Sequence, residues 1–478
     1  MNFKGLLIII ISINVLGCAP IIPQEASTIG RIGIPTTLTK ANEAVIVDQQ
    51  LEGMQKWWSI FKDEKLDALL NNAYQDNPSI AEAKSRINIA GAELTSIRAI
   101  QYPSIKAGTS LSHQHYSSNS DHAMYNGDTY NLAILDPLEL SYHPDLWGSD
   151  QELVDSHQAS LKVARAKLKK SEIDLRQSVI KTYFALIVSN QIVLTQQQLM
   201  ALSLKINRVR QVAYKEGLQP ASYGFYGELK LSESAVALSF ATQQKNTLYY
   251  ALAALLGKSP DAELSVSSEF ALVPDQLPLP NALNLAFISK RPDIQESLWR
   301  VQEAFHLENV AQKAFYPNVN LRALLGFNSI GLSKLFQSDS VAYAAGPVIS
   351  LPIFDHKELQ GRFDASVANH DALIYAYNQT VLQAAKEVAT NLANMDKMKS
   401  VLVAQALVLQ QRNNLLKVAK AEHLNGLSDQ IPYLEAQVAE KISYIEYRQS
   451  QLRWFYAITE MASSLDGELS EKDSDHKN

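Results

Sequence analysis

Asn77-Pro78-Ser79-Ile80-Ala81-Glu82 and Arg291-Pro292-Asp293-Ile294-Gln295-Glu296 are two versions of one stretch, and their pairing decides the fold. The first runs on to Gln101-Tyr102-Pro103-Ser104-Ile105 and the second to Phe315-Tyr316-Pro317-Asn318-Val319. The offset is 214 at the first proline (292 − 78) and 214 again at the second (317 − 103). An internal repeat of this size makes the chain two copies of one structural unit, so each copy predicts the other. Between its prolines each copy is Ala-rich and helix-forming, and after the second proline each becomes alternating.

Alternation at period two is the signature of a strand. Residues 104–116 set Ile105, Ala107, Thr109 and Leu111 against Ser104, Lys106, Gly108 and Ser110. After the polar loop 117–128, a second run at about 129–143 carries Tyr130, Leu132, Ile134, Leu138, Leu140 and Tyr142. The second copy repeats this with strands expected at about 318–328 and 341–353. Each of the four is long enough to cross a bilayer when tilted.

The strands lead into segments without breakers. No proline lies between Pro144 and Pro220 or between Pro352 and Pro432, and the glycines inside those intervals sit near the ends (Gly148, Gly217, Gly361, Gly426). Such spacing predicts long helices over about 148–216 and 356–425, roughly 90–100 Å each at 1.5 Å per residue. In the second, Phe363, Val367, His370, Ile374, Tyr377, Val381, Ala384, Val388, Leu392 and Met395 step by four and three, a coiled-coil seam. The first carries a looser seam, Leu161, Ala164, Leu168, Leu175, Val179, Tyr183, Leu186 and Val193. Shorter helices return to about Leu256 and Leu465.

The expected organisation is a signal peptide (1–17), an N-terminal arm (18–55), repeat 1 (56–259), a proline-rich linker (260–281), repeat 2 (282–466) and a disordered tail (467–478). Lys4, the apolar run Leu6–Ile11 and Val15-Leu16-Gly17-Cys18 make an export signal rather than a membrane span. Cys18 is the chain's one cysteine, so no disulfide forms within it. A net charge of −6 gives no support to nucleic-acid binding. No HExxH, GxSxG or paired-cysteine motif occurs, and Gly257-Lys258-Ser259 lacks the first glycine of a phosphate loop, which is Leu252 here. Neither an enzyme nor a cofactor is expected.

In lipid every backbone donor and acceptor needs a partner, so membrane strands must close into a barrel. Four strands cannot close, because the smallest barrels have eight, and three chains would supply about twelve. The fold expected is therefore mainly α with transmembrane β, with several chains sharing one barrel.

Trp57-Trp58-Ser59-Ile60-Phe61-Lys62-Asp63, Leu66, Leu69, Ala73 and Asn77-Pro78 resemble the opening of outer-membrane factor lipoproteins of the TolC/OprM type. Asp145-Leu146-Trp147-Gly148, Arg291-Pro292-Asp293-Ile294, Phe315-Tyr316-Pro317 and Leu351-Pro352-Ile353-Phe354-Asp355 extend the resemblance over about 50–465. The Val-Leu-Gly-Cys ending is similar to the lipoprotein box, which implies lipidation at Cys18, and Ala19 after it is consistent with delivery to the outer membrane. The resemblance implies a homotrimer with a twelve-stranded barrel and a periplasmic helical barrel. It also implies a periplasmic adaptor and an inner-membrane pump of the RND type as partners, drugs or toxic compounds as cargo, and a gate at the periplasmic tip.

The gate residues carried over are Glu435 and Asp429, with His423 and, from the first repeat, Tyr214, Tyr223 and Tyr226. His423 stands where the family often has tyrosine, Glu435 where it often has aspartate, and Pro432 where it can have an acid. Threefold symmetry turns any lumen-facing residue into a ring; each of these positions also fits a solvated turn residue, since spacing does not set facing. His113 and His115 share a strand face, with His122 and His143 nearby, and are the weak candidates for a metal. Rival readings are metal-ion efflux or protein or polysaccharide secretion on the same fold, and a lipid-anchored periplasmic scaffold without a pore.

Overall fold

The structure, a computed structural model, describes residues 56–119, 127–270, 272–274 and 288–466. The expected signal peptide, Cys18, the N-terminal arm, His122, the tail and part of the linker lie outside the described residues. A 3-10 turn (Trp57–Phe61) leads into α1 (Glu64–Asp76) and α2 (Pro78–Arg98), then strands β1 (Ser104–His115) and β2 (Thr129–Tyr142). Helices α3 (Ser149–Lys215) and α4 (Ala221–Leu255) complete the first copy. The second copy follows the same order with α5 (Pro292–Lys313), β3 (Asn318–Ile330), β4 (Val341–Ser350), α6 (His356–Leu424) and α7 (Gln430–Leu465). The described residues are thus mainly helical, with one four-stranded antiparallel sheet among them in the order β1-β2-β3-β4.

Two compact units form. The first takes α2 from Arg86, the sheet, α3 as far as Ala164, α5 from Glu296 and α6 as far as Asn378. Nearly every residue of its outer strands β1 and β4 is exposed, while Phe336 of the β3–β4 connection meets Phe327 of β3 (5.9 Å). Antiparallel partners share a face, so the register sorts the side chains. Ile105 faces Leu140, Leu321 faces Tyr142 and Pro347, and Leu325 faces Leu138 and Tyr343, all on one side. Lys106 paired with Glu139, Ser141 with Arg322 and Asn320 with Val348 occupy the other. In the half of the sheet nearest the helices, one face is therefore apolar and the other polar.

This sorting depends on an irregularity. The register shifts between Leu135 and Leu138 against β3, and between Lys106 and Gly108 against β1. One extra β2 residue is absorbed at Asp136-Pro137, a bulge that also accommodates the proline's missing amide. Opposite it lies Gly326, where a Cβ would collide with Asp136 Oδ1 and the Leu135 carbonyl. The single apolar run expected in β2 is therefore split: Leu138, Leu140 and Tyr142 share one face, whereas Ile134, Leu132 and Tyr130 pass to the other.

At the start of α3, Asp145-Leu146-Trp147-Gly148 is a capping turn. Asp145 accepts a hydrogen bond from the Gln151 amide (2.9 Å), and Gly148 takes φ +73°. Trp147 stacks on Tyr316 (5.0 Å between centroids) and donates to the Pro317 carbonyl (2.7 Å). Helix α5 is held on one side by Glu152 of α3, which meets His306 (2.7 Å), Lys313 (2.9 Å) and Asn309 (3.2 Å). On the other, Glu308 meets His370 of α6 (2.6 Å). Burial works against the Glu152 carboxylate, but these hydrogen bonds outweigh it and hold its pKa below the usual range.

The second unit contains the core. Phe61, Leu66, Leu69, Ile80, Val179, Ile180, Phe184, Leu252, Leu256, Phe455, Ile458 and Met461 are buried together. Phe184 stacks on Phe455 at 4.3 Å, and Phe61 meets Phe184 edge-on at 4.7 Å. Buried Tyr183 donates to Asp63 (2.6 Å), whose other oxygen caps α1 through the amides of Lys65 and Leu66. Burial and the Asp63 carboxylate push the Tyr183 hydroxyl well above the usual tyrosine range. The described part of the linker packs here: Val266, Phe270 and Val273 lie on this core, and Trp454 donates to the Pro274 carbonyl (2.8 Å).

The repeat explains the Asn-Pro and Arg-Pro pairs. Proline suits a first helical turn, where its missing amide is no loss. Asn77 accepts from the Ser79 amide and donates to the Leu255 carbonyl at the end of α4 (2.8 Å each). Arg291 donates to the corresponding carbonyl of α7, Ser464 (3.0 Å), and adds ion pairs with Asp293 and Glu387 (2.8 Å each). Burial disfavours charge on Asp293, yet the Arg291 guanidinium outweighs this and holds its carboxyl below the usual range.

Candidate functional site

The two helical hairpins of the second unit end in equivalent turns. Gly217 (φ +73°) and Gly426 (φ +72°) sit in the left-handed region just past α3 and α6. The amides of Gly217 and Leu218 bond to the carbonyls of Tyr214 and Ala213, and those of Gly426 and Leu427 to His423 and Glu422. This Schellman geometry satisfies carbonyls that the ending helix leaves open. The leucine after each glycine is exposed: Leu218 is 74% exposed and Leu427 78%. Pro432, in the first turn of α7, stands where the amide has no intrahelical partner.

Helix α3 meets both α4 and α7 just short of the turn. Leu202 and Ile206 of α3 pack with Leu434, Ile431 and Val438 of α7. On the α4 side Gly224 and Gly227 allow close approach: a Cβ on Gly227 would lie 2.7 Å from Asn207 Oδ1 and 3.2 Å from Asn207 Cα. Gln211 donates to the Gly224 carbonyl (3.1 Å) and to Glu228 (3.0 Å).

Arg210 lies at the centre of this junction, 8% exposed. Its Nη2 donates to Glu435 Oε1 of α7 (2.8 Å), and its guanidinium lies 4.7 Å from the ring centroids of both Tyr223 and Tyr226 of α4. Its buried Nε has no hydrogen-bond partner. The cation is thus held by two aromatic rings of its own hairpin and by one carboxylate of the other. Glu435, with its side chain 54% exposed, can leave for water more readily than Arg210 can.

Of the six residues expected at the tip, the structure gathers Glu435, Tyr223 and Tyr226 around Arg210. His423 instead stacks on Tyr433 (5.7 Å, 15°), and Asp429 is an exposed residue at the start of α7 whose side chain makes no capping bond. Tyr214 packs its ring edge against Gly224. Sequence reasoning missed Arg210, although Leu202, Ile206 and Arg210 step by four, so a cation stands on the buried face. His113 and His115 are on exposed positions of β1, and His143 pairs with Asp150 (2.7 Å). Among the described residues no group of three or more His, Cys, Asp or Glu side chains is placed to hold a metal.

A family model described as outer membrane efflux protein matches residues 69–258 and 286–462. The chain is 25% identical to the multidrug resistance outer membrane protein MdtP of Escherichia coli K12, over 82% of each chain. It is 23% identical to the multidrug resistance outer membrane protein MdtQ of Escherichia coli O157:H7, over 95% of this chain and 97% of that one. Its fold is similar to the crystal structure of the Campylobacter jejuni CmeC outer membrane channel, with a TM-score of 0.80, 21% identity, and coverage of 86% and 88%.

Proposed function

The chain belongs to the outer membrane efflux protein family, and on that premise we propose that it is the passive exit duct of a tripartite efflux system, discharging drugs or other toxic small molecules across the outer membrane. The observation that carries this reading is the sheet. Its helix-proximal half is sorted into an apolar and a polar face, β1 and β4 are exposed along nearly their whole length, and among the described residues no strand pairs with their far sides. Exposed strand edges do not occur in hydrocarbon. Joining β4 of one copy to β1 of the next removes both edges, and three copies give a barrel of about twelve strands. Ile105, Leu138, Leu321, Leu325, Tyr343 and Ile349 then face lipid, while Lys106, Glu139 and Arg322 face water.

The long helices carry the path onward through the periplasm, and the hairpin turns form its tip. Arg210 with Glu435 is the latch in this reading, closed while α7 is held to α3. The exposed Leu218 and Leu427 offer two apolar knobs per chain to a periplasmic adaptor, which links the duct to an inner-membrane pump of the RND type. Energy comes from that pump, and the duct performs no chemistry. Residues 56–259 and 282–466 act as the repeats, 260–281 joins them, and Cys18 anchors the mature chain by lipid.

Fractionation followed by planar-bilayer recording tests the proposal. A trimer extracted from outer membranes that conducts ions is the expected result. A monomer that fails to conduct, or a chain recovered only from the soluble periplasm, refutes it in favour of a scaffold.

A further inference from the structure

We propose that His113 and His115 form a chelating site for one borderline divalent transition cation, of the Zn²⁺, Ni²⁺ or Cu²⁺ class, at the loop end of the β1–β2 hairpin. Alternate residues of a strand point to one side, about 6.6 Å apart along it. Two imidazoles on such positions can tilt together so that both Nε2 atoms reach one cation at about 2.1 Å.

What distinguishes this pair from two chance surface histidines is the hydrogen bonding behind it. His113 lies directly across from Asn131 and His115 directly across from Thr129. His113 Nδ1 is 2.7 Å from Asn131 Oδ1, and His115 Nδ1 is 2.9 Å from Thr129 Oγ1. An amide oxygen only accepts, so His113 carries its proton on Nδ1 and bares the Nε2 lone pair. The Thr129 hydroxyl serves the same tautomer of His115. Metal-binding histidines commonly have this arrangement, in which an outer oxygen takes the Nδ1 proton and orients the ring. His143, His306 and His370 also have Nδ1 engaged, each by a carboxylate, but none has a second histidine two residues away on the same strand.

The donor set selects the ligand. Imidazole nitrogen suits zinc, nickel and copper, whereas magnesium and calcium prefer oxygen. No third His, Cys, Asp or Glu joins the pair among the described residues, so water completes the coordination. Both rings bind through a free nitrogen lone pair, so protons compete with the cation. The site lies within one hairpin of one chain and does not rest on the proposed duct. Metal binding can fail while conduction persists, and the reverse.

The experiment uses the full-length, detergent-solubilised protein with any purification tag removed. Titration with NiCl₂ and ZnCl₂ at pH 7.5, followed by calorimetry, should saturate at one cation per chain, with MgCl₂ silent. His113→Ala or His115→Ala should weaken binding at least about tenfold, and Asn131→Ala, which keeps both ligands, by about tenfold. With Cu²⁺, electron paramagnetic resonance should count two nitrogen ligands in the parent chain and one in each single variant. Circular dichroism and elution volume identify a variant that misfolds, in which case His115→Gln replaces it. Saturable binding that survives loss of both histidines overturns the proposal, as does its absence from the parent chain.

Discussion

Replacing Glu435 by alanine removes the one charged tie that Arg210 makes to α7 while leaving its two aromatic contacts on α4 in place. Because the Glu435 side chain is 54% exposed, solvent screens the pair, and it is worth about 0.5–1 kcal/mol rather than the several that a buried pair could reach. If three chains open together, the loss amounts to about 1.5–3 kcal/mol. At about 1.4 kcal/mol per decade, the ratio of open to closed channels rises roughly 10- to 150-fold. Bilayer recordings should show longer or larger openings, and cells should leak a large antibiotic such as vancomycin, at unchanged protein level. Arg210→Ala should act in the same direction, and Glu435→Ala added to it should contribute little more, because the contact is already gone. Unchanged conductance and leak in both single variants would refute the latch. Strictly additive effects would show that Arg210 and Glu435 act separately.

Three further expectations follow from the packing. Gly227→Ala should loosen the α3–α4 contact and cost about 1–3 kcal/mol, because its Cβ meets the Asn207 backbone; Gly91→Ala, with nothing within 4 Å, should raise the thermal midpoint slightly. Tyr183→Phe leaves buried Asp63 short of its closest donor and should cost about 1.5–3 kcal/mol in denaturant titration. Glu152 and Asp293 have carboxyl pKa values lowered by folding, so they bind fewer protons folded than unfolded. The stability they lend is full above about pH 4 and is lost as pH falls through their lower folded values. Glu152→Gln with Asp293→Asn should therefore flatten the acid limb of a pH–stability curve.

Helices α3 and α6 are legible in the chain because glycine and proline are the residues a helix interior tolerates least, and both are confined to the ends. The seam of α6 is legible for a similar reason: each of its ten positions from Phe363 to Met395 is buried or half-buried. Four strands follow from alternation combined with the repeat. What alternation does not reveal is the point at which β2 takes on an extra residue, because Asp136-Pro137 breaks the count without breaking the run of apolar side chains. At the tip, the spacing from Gly217 and Gly426 points to the right turns but not to the junction behind them. Arg210 escapes a search for turn residues because it belongs to the helix face that packs, and its partners come from two other helices. The offset between the copies also drifts, from 214 at the prolines to 209 at the tip glycines (426 − 217), so positions cannot be transferred by one constant.

The bulge in β2 can be understood as a slip of half a cycle in a signal of period two. Upstream and downstream of Asp136-Pro137 the strand keeps time with different faces. Deleting Pro137 would remove the extra residue and leave every face as it is, whereas drawing that residue into the ladder would restore a single phase. With the helix-proximal half held in place, Ile134, Leu132 and Tyr130 would swing onto the same side as Leu138 and Leu140, and Asn131 and Thr129 would turn away from His113 and His115. Residues added within 117–128 would leave the phase untouched, because a loop keeps no count. For this strand, the number of residues drawn into the ladder matters more to its sidedness than their hydrophobicity.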